Sequence, residues 1–257
     1  MRKYGKFGVF TTLCICLAFL VFPVIAATVK VDVGTGTAVI TTLTGKARVL
    51  RAATQKRATL QSGVMLAAGD QVTTGTGARL ELKLPDGSYL RFDERTTFKL
   101  VSMAGSHKDQ TRDIRVSMVV GKTWARVAKL FGKKRGGFNI ATQTAVAGVR
   151  GTTFRMNVKE DNSAVLKVYG GEVEVRKKTA KDDAAQAAPP IFTKPVPIKG
   201  PHPISMEEWV YIVKSLQQIN INPDGTATKP FRFDIKADLN EWVKWNQMRD
   251  SEVAETE

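Results

Sequence analysis

The sequence predicts a mainly β protein, a β-sandwich or β-roll, followed by a small extension that contains helices. Apolar and polar residues alternate over most of residues 38–178, for example at 79–84, where leucine alternates with Arg, Glu and Lys. Turn residues such as the Pro-Asp-Gly-Ser run at 85–88 punctuate this region. Helix-like spacing begins only after residue 204. Because alternation fits both a sandwich and a roll, the sequence leaves these two arrangements open.

Residues 1–27 have the features of an export signal peptide. Three of the first six residues are Arg or Lys, an almost wholly apolar stretch follows over 7–25, and Ala26 and Ala27 are small residues suited to cleavage. We therefore expect an exported protein of the periplasm or cell envelope of a Gram-negative bacterium. The alternative is an uncleaved anchor, since a stretch of about 19 apolar residues can just span a bilayer.

Cysteine and charge content narrow the classes of function. Cys14 and Cys16 both lie in the predicted leader, so no disulfide, thiol nucleophile or cysteine-bound metal is expected in the exported chain. The chain carries 39 Lys and Arg against 24 Asp and Glu, a formal net charge of +15. This balance favours an envelope protein or an anionic envelope polymer as partner, and it disfavours nucleic acid for an exported protein. A solvated basic surface without a specific ligand is the alternative.

Residues 28–178 are predicted as one all-β domain that opens with an extended Gly- and Thr-rich lead. Polar loops are expected at 104–113 and 132–137. The segments 75–88 and 149–163 share a glycine, a short apolar alternation and an acidic turn. This similarity indicates either a duplicated β unit or a chance likeness between hairpins.

The stretch around residue 151 is predicted to be a structural hinge between two strands. Its residues are Arg150, Gly151, Thr152 and Phe154. Gly151 supplies backbone freedom at the kink. Arg150 is expected to form a buried ion pair or to cap backbone carbonyls, with a ligand anchor as the alternative.

The C-terminal third is predicted to contain a linker and then two helices. Residues 179–203 are an Ala- and Pro-rich linker. Residues 204–250 are predicted as a helical extension docked on the β domain, because about 45 residues cannot form a core of their own. Its first helix starts at a capping box of Ser205 and Glu208 and continues to about Ile219.

The second predicted helix begins near Asp238 and Glu241 and carries Trp242 and Trp245 on one face. These tryptophans either pack on the β domain or form an exposed docking patch. The last residues, 251–257, are expected to be disordered.

No catalytic, cofactor-binding or metal-binding site is predicted, and no cofactor is expected. His107 and His202 lie in polar or proline-rich loops without a matched nucleophile, paired carboxylate or metal-ligand spacing. A basic patch with one aromatic residue is the candidate binding surface, and it suits an anionic glycan or lipid headgroup. An ordinary solvated loop is the alternative. The members of the patch are Lys129, Phe131, Lys133, Lys134 and Arg135.

The β region also resembles the FecR domain over most of residues 45–178. The similar segments, in chain order, are GKARV at 45–49, LAAGDQV at 66–72, TG at 74–75, LEL at 80–82, DGS at 86–88, VGK at 120–122, AVA at 145–147, RGTTF at 150–154 and GEV at 171–173. The resemblance implies a non-catalytic periplasmic sensing or interaction module. Family members that control sigma factors carry a cytoplasmic N-terminal domain. Only six residues precede the apolar stretch here, so direct sigma-factor control is not expected.

The sequence thus predicts a non-enzymatic FecR-like sensing or protein-interaction scaffold of the periplasm or cell envelope. One alternative is a membrane-anchored signalling regulator that keeps its N-terminal segment uncleaved. Another is an envelope protein that binds glycan or lipid. An envelope hydrolase is disfavoured, because the sequence lacks a recognisable nucleophile and base.

Overall fold

The computed structural model describes residues 36–129, 137–187 and 209–256. The predicted leader 1–27 and the lead residues 28–35 lie outside the described residues. The described strands are β1 (Thr37–Thr44), β2 (Ala47–Leu50), β3 (Arg57–Thr59), β4 (Met65–Ala67), β5 (Gln71–Thr74), β6 (Arg79–Lys83), β7 (Tyr89–Phe92), β8 (Thr97–Ser106), β9 (Thr111–Arg126), β10 (Phe138–Ala141), β11 (Ala145–Val149), β12 (Thr153–Val158), β13 (Ala164–Gly170), β14 (Glu172–Lys177), β15 (Val210–Lys214), β16 (Gln217–Ile221) and β17 (Phe231–Arg232). The described helices are α1 (Ala180–Ala187), α2 (Ile235–Asp238) and α3 (Glu241–Thr256).

The strands form two sheets that share strand β9. Sheet I has the order β4-β1-β6-β7-β9-β12-β13-β16-β17, and all its pairings are antiparallel. Sheet II has the order β3-β2-β5-β8-β9-β10-β11-β14-β15, and its β9–β10 pairing is parallel. The protein is therefore mainly β with small helices near its C-terminus, as the sequence predicted.

Strand β9 passes from one sheet to the other at Gly121. Before this residue β9 pairs with β8 and β10 in sheet II, and after it β9 pairs with β7 and β12 in sheet I. Gly121 has φ +107°, which residues with a Cβ rarely adopt. Glycine at this position allows one long strand to serve both sheets.

The two sheets pack face to face around one hydrophobic core. The rings of Phe92 in sheet I and Phe98 in sheet II stack with centroids 3.6 Å apart. Alternate residues of nearly every strand join the same buried cluster, among them Leu80, Leu82 and Leu84. The arrangement is that of a sandwich, because apolar side chains of both sheets fill the space between them.

The prediction of a helix that continues to about Ile219 is wrong. Residues 210–221 form the hairpin β15–β16, in which β15 extends sheet II and β16 extends sheet I. Val213 and Ile219 are fully buried in the sandwich core. The open edges of β14 and β13 offer backbone hydrogen bonds and an apolar core, and these outweigh the helical spacing. Ser205 and Glu208 lie outside the described residues.

Three other boundaries also differ from expectation. Helix α1 occupies the start of the predicted linker, while 188–203 lies outside the described residues. The predicted polar loop 104–113 is a tight turn between the long strands β8 and β9. The predicted disorder at 251–257 is wrong for 251–256, since α3 extends to Thr256 and Val253 is only 7% exposed.

Candidate functional site

A row of polar and aromatic side chains crosses the outer face of sheet I. Successive strands β6, β7, β9, β12 and β13 place these residues directly opposite one another in register. We call this set the transverse row. Its members are Glu81, Arg91, Trp124, Arg155 and Lys167. Their sequence neighbours point into the sandwich core, because side chains alternate between the two faces of a strand.

Residues 235–256, which contain α2 and α3, lie across this row, and we call them the C-terminal cover. Asp238 ends α2 and binds one end of the row. Its carboxylate accepts hydrogen bonds from Arg155 Nε at 3.1 Å and from Lys167 Nζ at 2.8 Å. It accepts two further bonds, from Arg155 Nη2 and from the Tyr169 hydroxyl. One buried carboxylate is thereby held by three side chains of the sandwich.

Asp250 of α3 binds the middle of the row. Arg91 Nη1 donates to Asp250 Oδ1 at 2.6 Å, and Trp124 Nε1 donates to Oδ2 at 2.9 Å. The cover therefore presents two carboxylates, twelve residues apart in sequence, to cationic and N–H donors on one sheet face.

At the other end of the row the charges are exchanged, because the sandwich supplies the carboxylate, Glu81, and the cover supplies a cation, Arg249. The Glu81 carboxylate accepts from Arg91 Nε at 2.6 Å, from Thr41 Oγ1 at 2.7 Å and from Arg249 Nη2 of α3 at 2.6 Å. The Glu81 and Arg91 side chains are both 0% exposed. Charged groups of this kind persist in a protein interior only when they are paired.

The ionisation of the site follows from these contacts. Burial raises the pKa of the Glu81 carboxyl, but hydrogen bonds and charge from Arg249 and Arg91 outweigh it, so the pKa lies below its ordinary value. Burial likewise raises the pKa of Asp238, and hydrogen bonds from Arg155, Lys167 and Tyr169 bring it below the ordinary value. Burial and the bond to Asp238 raise the pKa of the Tyr169 hydroxyl. At neutral pH both carboxyls are ionised and Tyr169 is neutral.

A small apolar cluster accompanies the ion pairs and is separate from the main core. Trp124 of the row packs against Trp242 and Val243 of α3, with Trp245 and Tyr169 at its margin. Trp242 is 4% exposed and stacks on Trp245 at 5.4 Å. Of the two alternatives for these tryptophans, packing on the β domain is therefore the correct one.

The start of α3 also differs from expectation. The Asn240 side chain, and not Asp238, accepts from the N–H of Val243 and caps the helix. The Asp238 carboxylate instead accepts hydrogen bonds from Arg155 and Lys167 of the sandwich. Charged residues at alternate positions of β6 were visible in the sequence, whereas the pairing of positions about 160 residues apart was not.

Acid should weaken the C-terminal cover. The lowered pKa values of Glu81 and Asp238 mean that their stabilisation is complete above the ordinary values of 4.5 and 3.8, and is lost as pH falls through the lower folded values. We expect the urea midpoint to fall steeply below about pH 4. An Asp238→Asn variant should be less stable at pH 7 and show a shallower decline. If the urea midpoints of the wild-type protein and of Asp238→Asn fell equally steeply with pH, the assignment of this acid sensitivity to Asp238 would be wrong.

The predicted hinge residues lie where the chain crosses from β11 in sheet II to β12 in sheet I. Gly151 has φ +63°, Thr152 is buried and donates to the Glu172 carbonyl at 2.8 Å, and Phe154 is buried in the core. Arg150 is exposed, so its expected burial in an ion pair is wrong. The backbone turns outward at this crossover and leaves the guanidinium at the surface.

The basic patch is described only at Lys129. This residue is exposed, and its side chain lies against Gly151, where an added Cβ would approach Lys129 Cγ to 2.4 Å. Phe131, Lys133, Lys134 and Arg135 lie outside the described residues, so the patch stays a prediction.

The two histidines do not form a site with each other in the described part of the chain. His107 is exposed, and its Nδ1 lies 3.1 Å from the Asp86 carbonyl, while His202 lies outside the described residues. Within residues 36–129, 137–187 and 209–256, no group of three His, Cys, Asp or Glu side chains is placed to hold a metal ion. The same segments contain no helix that is long and apolar enough to cross a membrane.

A smaller polar cluster lies on the outer face of sheet II. Arg176 of β14 binds Asp182 of α1 through two hydrogen bonds of 2.8 and 2.6 Å. These bonds and that of the Thr179 N–H lower the pKa of the Asp182 carboxyl. Beside them is a cavity of about 70 Å³ that Arg115 and Asn139 also line. Its volume is sufficient for water but not for a substrate of ordinary size.

The fold and the site together define a β-sandwich domain that carries its own C-terminal helices across one sheet. Residues 70–174 match the family model described as FecR protein. The match contains the entire transverse row and ends before the C-terminal cover.

Solved structures add a distant likeness. Two crystal structures, at 2.50 and 1.65 Å resolution, of a Parabacteroides distasonis ATCC 8503 protein proposed to be an anti-sigma factor are each 18% identical to the chain, with a TM-score of 0.42. The alignment covers 64% of this chain and 60% of that one. No curated protein matches the chain.

Proposed function

We propose that this protein is a non-enzymatic regulator of the cell envelope that acts by binding another protein. The match of residues 70–174 to the FecR family carries the proposal. The predicted leader supports export to the periplasm or envelope. The deeply buried ionisable groups at the transverse row are held in ion pairs, Glu81 with Arg91 and Arg155 with Asp238 of the cover, which is a structural use of such residues and not a catalytic one.

The proposed partner is an envelope protein, with the basic patch as one contact surface, and an anionic envelope polymer is the alternative. The formal net charge of +15, of which the predicted leader contributes three, supports an acidic partner. No cofactor takes part in this function. Signalling would follow from a change in the partner's binding and not from chemistry in this chain.

The proposal is tested by mild crosslinking in cells that export the full chain with a C-terminal tag. The mature N-terminus is determined by mass spectrometry on the same sample. We expect a cleaved N-terminus and one reproducible protein partner. An intact N-terminus in the membrane fraction would support the anchored regulator instead, and recovery of glycan or lipid alone would contradict a protein partner.

A charge-matched pair of variants tests the contribution of the basic patch. Neutralising Lys133, Lys134 and Arg135 to Gln should reduce partner recovery several-fold, because charge complementarity supports association. The control variant replaces three exposed lysines elsewhere with Gln and should leave recovery unchanged. An equal effect of both variants would remove the patch from the interface. The control positions are Lys159, Lys214 and Lys229.

A further inference from the structure

The surface beneath the C-terminal cover has an excess of positive charge. The transverse row contributes Arg91, Arg155 and Lys167 against a single carboxylate, Glu81. Trp124 and Tyr169 add two polar hydrogens that point to the same carboxylates of the cover. Without the cover, this face would present separate sites for two carboxylates, together with aromatic surface.

The cover is attached by contacts of a kind that another chain can replace. Buried ion pairs contribute little net stability once the desolvation of both charges is included. In the described part of the chain, the buried apolar side chains of the cover are Trp242 and Val243, which cluster with Trp124 apart from the sandwich core, and Val253. The cover is therefore held by charge complementarity and by small apolar contacts of its own, and not by a core shared with the sandwich.

The fit between cover and sheet is also incomplete. Within the described part of the chain, three buried polar atoms at this interface have no hydrogen-bond partner: Arg91 Nη2, Trp242 Nε1 and Asn246 Oδ1. Arg91 and Asn246 are 0% exposed and Trp242 is 4% exposed. A buried donor or acceptor left unpaired destabilises the arrangement that buries it. Displacement of the cover would return Trp242 Nε1 and Asn246 Oδ1, which it carries, to water, and a ligand able to bond Arg91 Nη2 would gain a contact that the cover does not make.

We propose that the transverse row is a binding surface for an acidic segment of a partner protein, which the chain's own residues 235–256 occupy until the partner displaces them. The partner segment carries at least two carboxylates that replace those of Asp238 and Asp250. This inference deepens the proposed function, since it names the surface and the charge of the partner.

Binding of a labelled peptide to the full chain tests the inference. The probe is a fluorescent peptide with the sequence of residues 231–256, and anisotropy reports its binding. The test chain carries Asp238→Asn and Asp250→Asn. The control chain carries Glu241→Gln and Glu255→Gln, which remove the same charge from exposed positions of α3.

We expect the test chain to bind the peptide at least tenfold more tightly than the wild-type or control chain. A peptide with Asn at positions 238 and 250 should bind at least tenfold more weakly than the unmodified peptide. Equal affinity for all three chains would overturn the proposal. A stable wild-type dimer that exchanges this segment between copies would overturn the partner protein as its occupant.

Hydrogen exchange on the wild-type chain gives a second measurement if the test chain does not fold. Excess peptide should accelerate exchange of the amides at 241–256 several-fold and leave the β12 and β13 amides unchanged. Exchange in α3 that does not respond to peptide would overturn the proposal.

The two proposals fail in different ways. Peptide binding without any crosslinked protein partner would leave the surface standing and refute the proposed function. If crosslinking recovered a partner equally with the wild-type and test chains, the proposed function would be supported. The partner would then bind outside the transverse row, and the inference would be overturned.

Discussion

Gly121→Ala is expected to destabilise the protein by roughly 3 kcal/mol or more, and to lower its Tm by about 6–12 °C. Gly121 has φ +107°, and an added Cβ would lie 2.5 Å from Thr96 Cα. Thr96 cannot move easily, because its N–H donates to Thr74 Oγ1 at 2.9 Å and its hydroxyl accepts from the N–H of Lys122 at 3.0 Å. The substitution therefore strains β9 at the point where it joins the two sheets.

Gly77→Ala is the matched control for this prediction. Gly77 also has positive φ, +68°, but no atom lies within 4 Å of an added Cβ. This variant should lose only about 1–2 kcal/mol, the usual penalty for a side chain in the left-handed region. Urea titration of both variants measures the difference. Equal losses would show that the close approach of Thr96 has no energetic effect.

Glu81→Ala is expected to destabilise the protein by about 3–5 kcal/mol. The substitution leaves the fully buried Arg91 with one carboxylate, that of Asp250, instead of two, and it removes the acceptor for Arg249 and Thr41. Urea denaturation at pH 7 measures the loss. The control is Glu241→Ala, which breaks an exposed pair with Lys244 and should leave the midpoint unchanged within error.

A double variant separates the lost ion pair from lost packing. Glu81→Leu with Arg91→Met replaces both buried charges with apolar side chains of similar size. It should be more stable than Glu81→Ala, since no uncompensated buried charge remains between these positions. A double variant as unstable as the single one would show that the interactions with Arg249 and Asp250 carry the effect.

Where apolar and polar residues alternate strictly along the chain, the sequence predicted the strands of the sandwich correctly. At 79–84 the leucines lie in the core and Glu81 lies on the opposite face, as their spacing requires. The sequence did not indicate that this opposite face is also buried. Alternation reports which residues share a face, whereas burial of the polar face depends on a helix contributed by a distant part of the chain.

The hairpin β15–β16 shows where pattern reasoning failed. Trp209, Val213 and Leu216 fit a helical period, while Tyr211 and Val213 fit a strand equally well. Short apolar segments cannot be assigned from periodicity alone. The unpaired edges of β14 and β13 decided the outcome, because a segment rich in β-branched residues gains both hydrogen bonds and burial there.

By itself, the sequence determined the mainly β fold class, the positions of most turns and the resemblance to the FecR domain. These depend on residue order within short segments, since side-chain period and turn chemistry are local properties. Only the tertiary structure decided that Asp238 and Asp250 bind Arg155 and Arg91, and that β9 belongs to both sheets. Such pairings depend on strand register and on where the last helix lies, and they bring together charges that no local pattern relates.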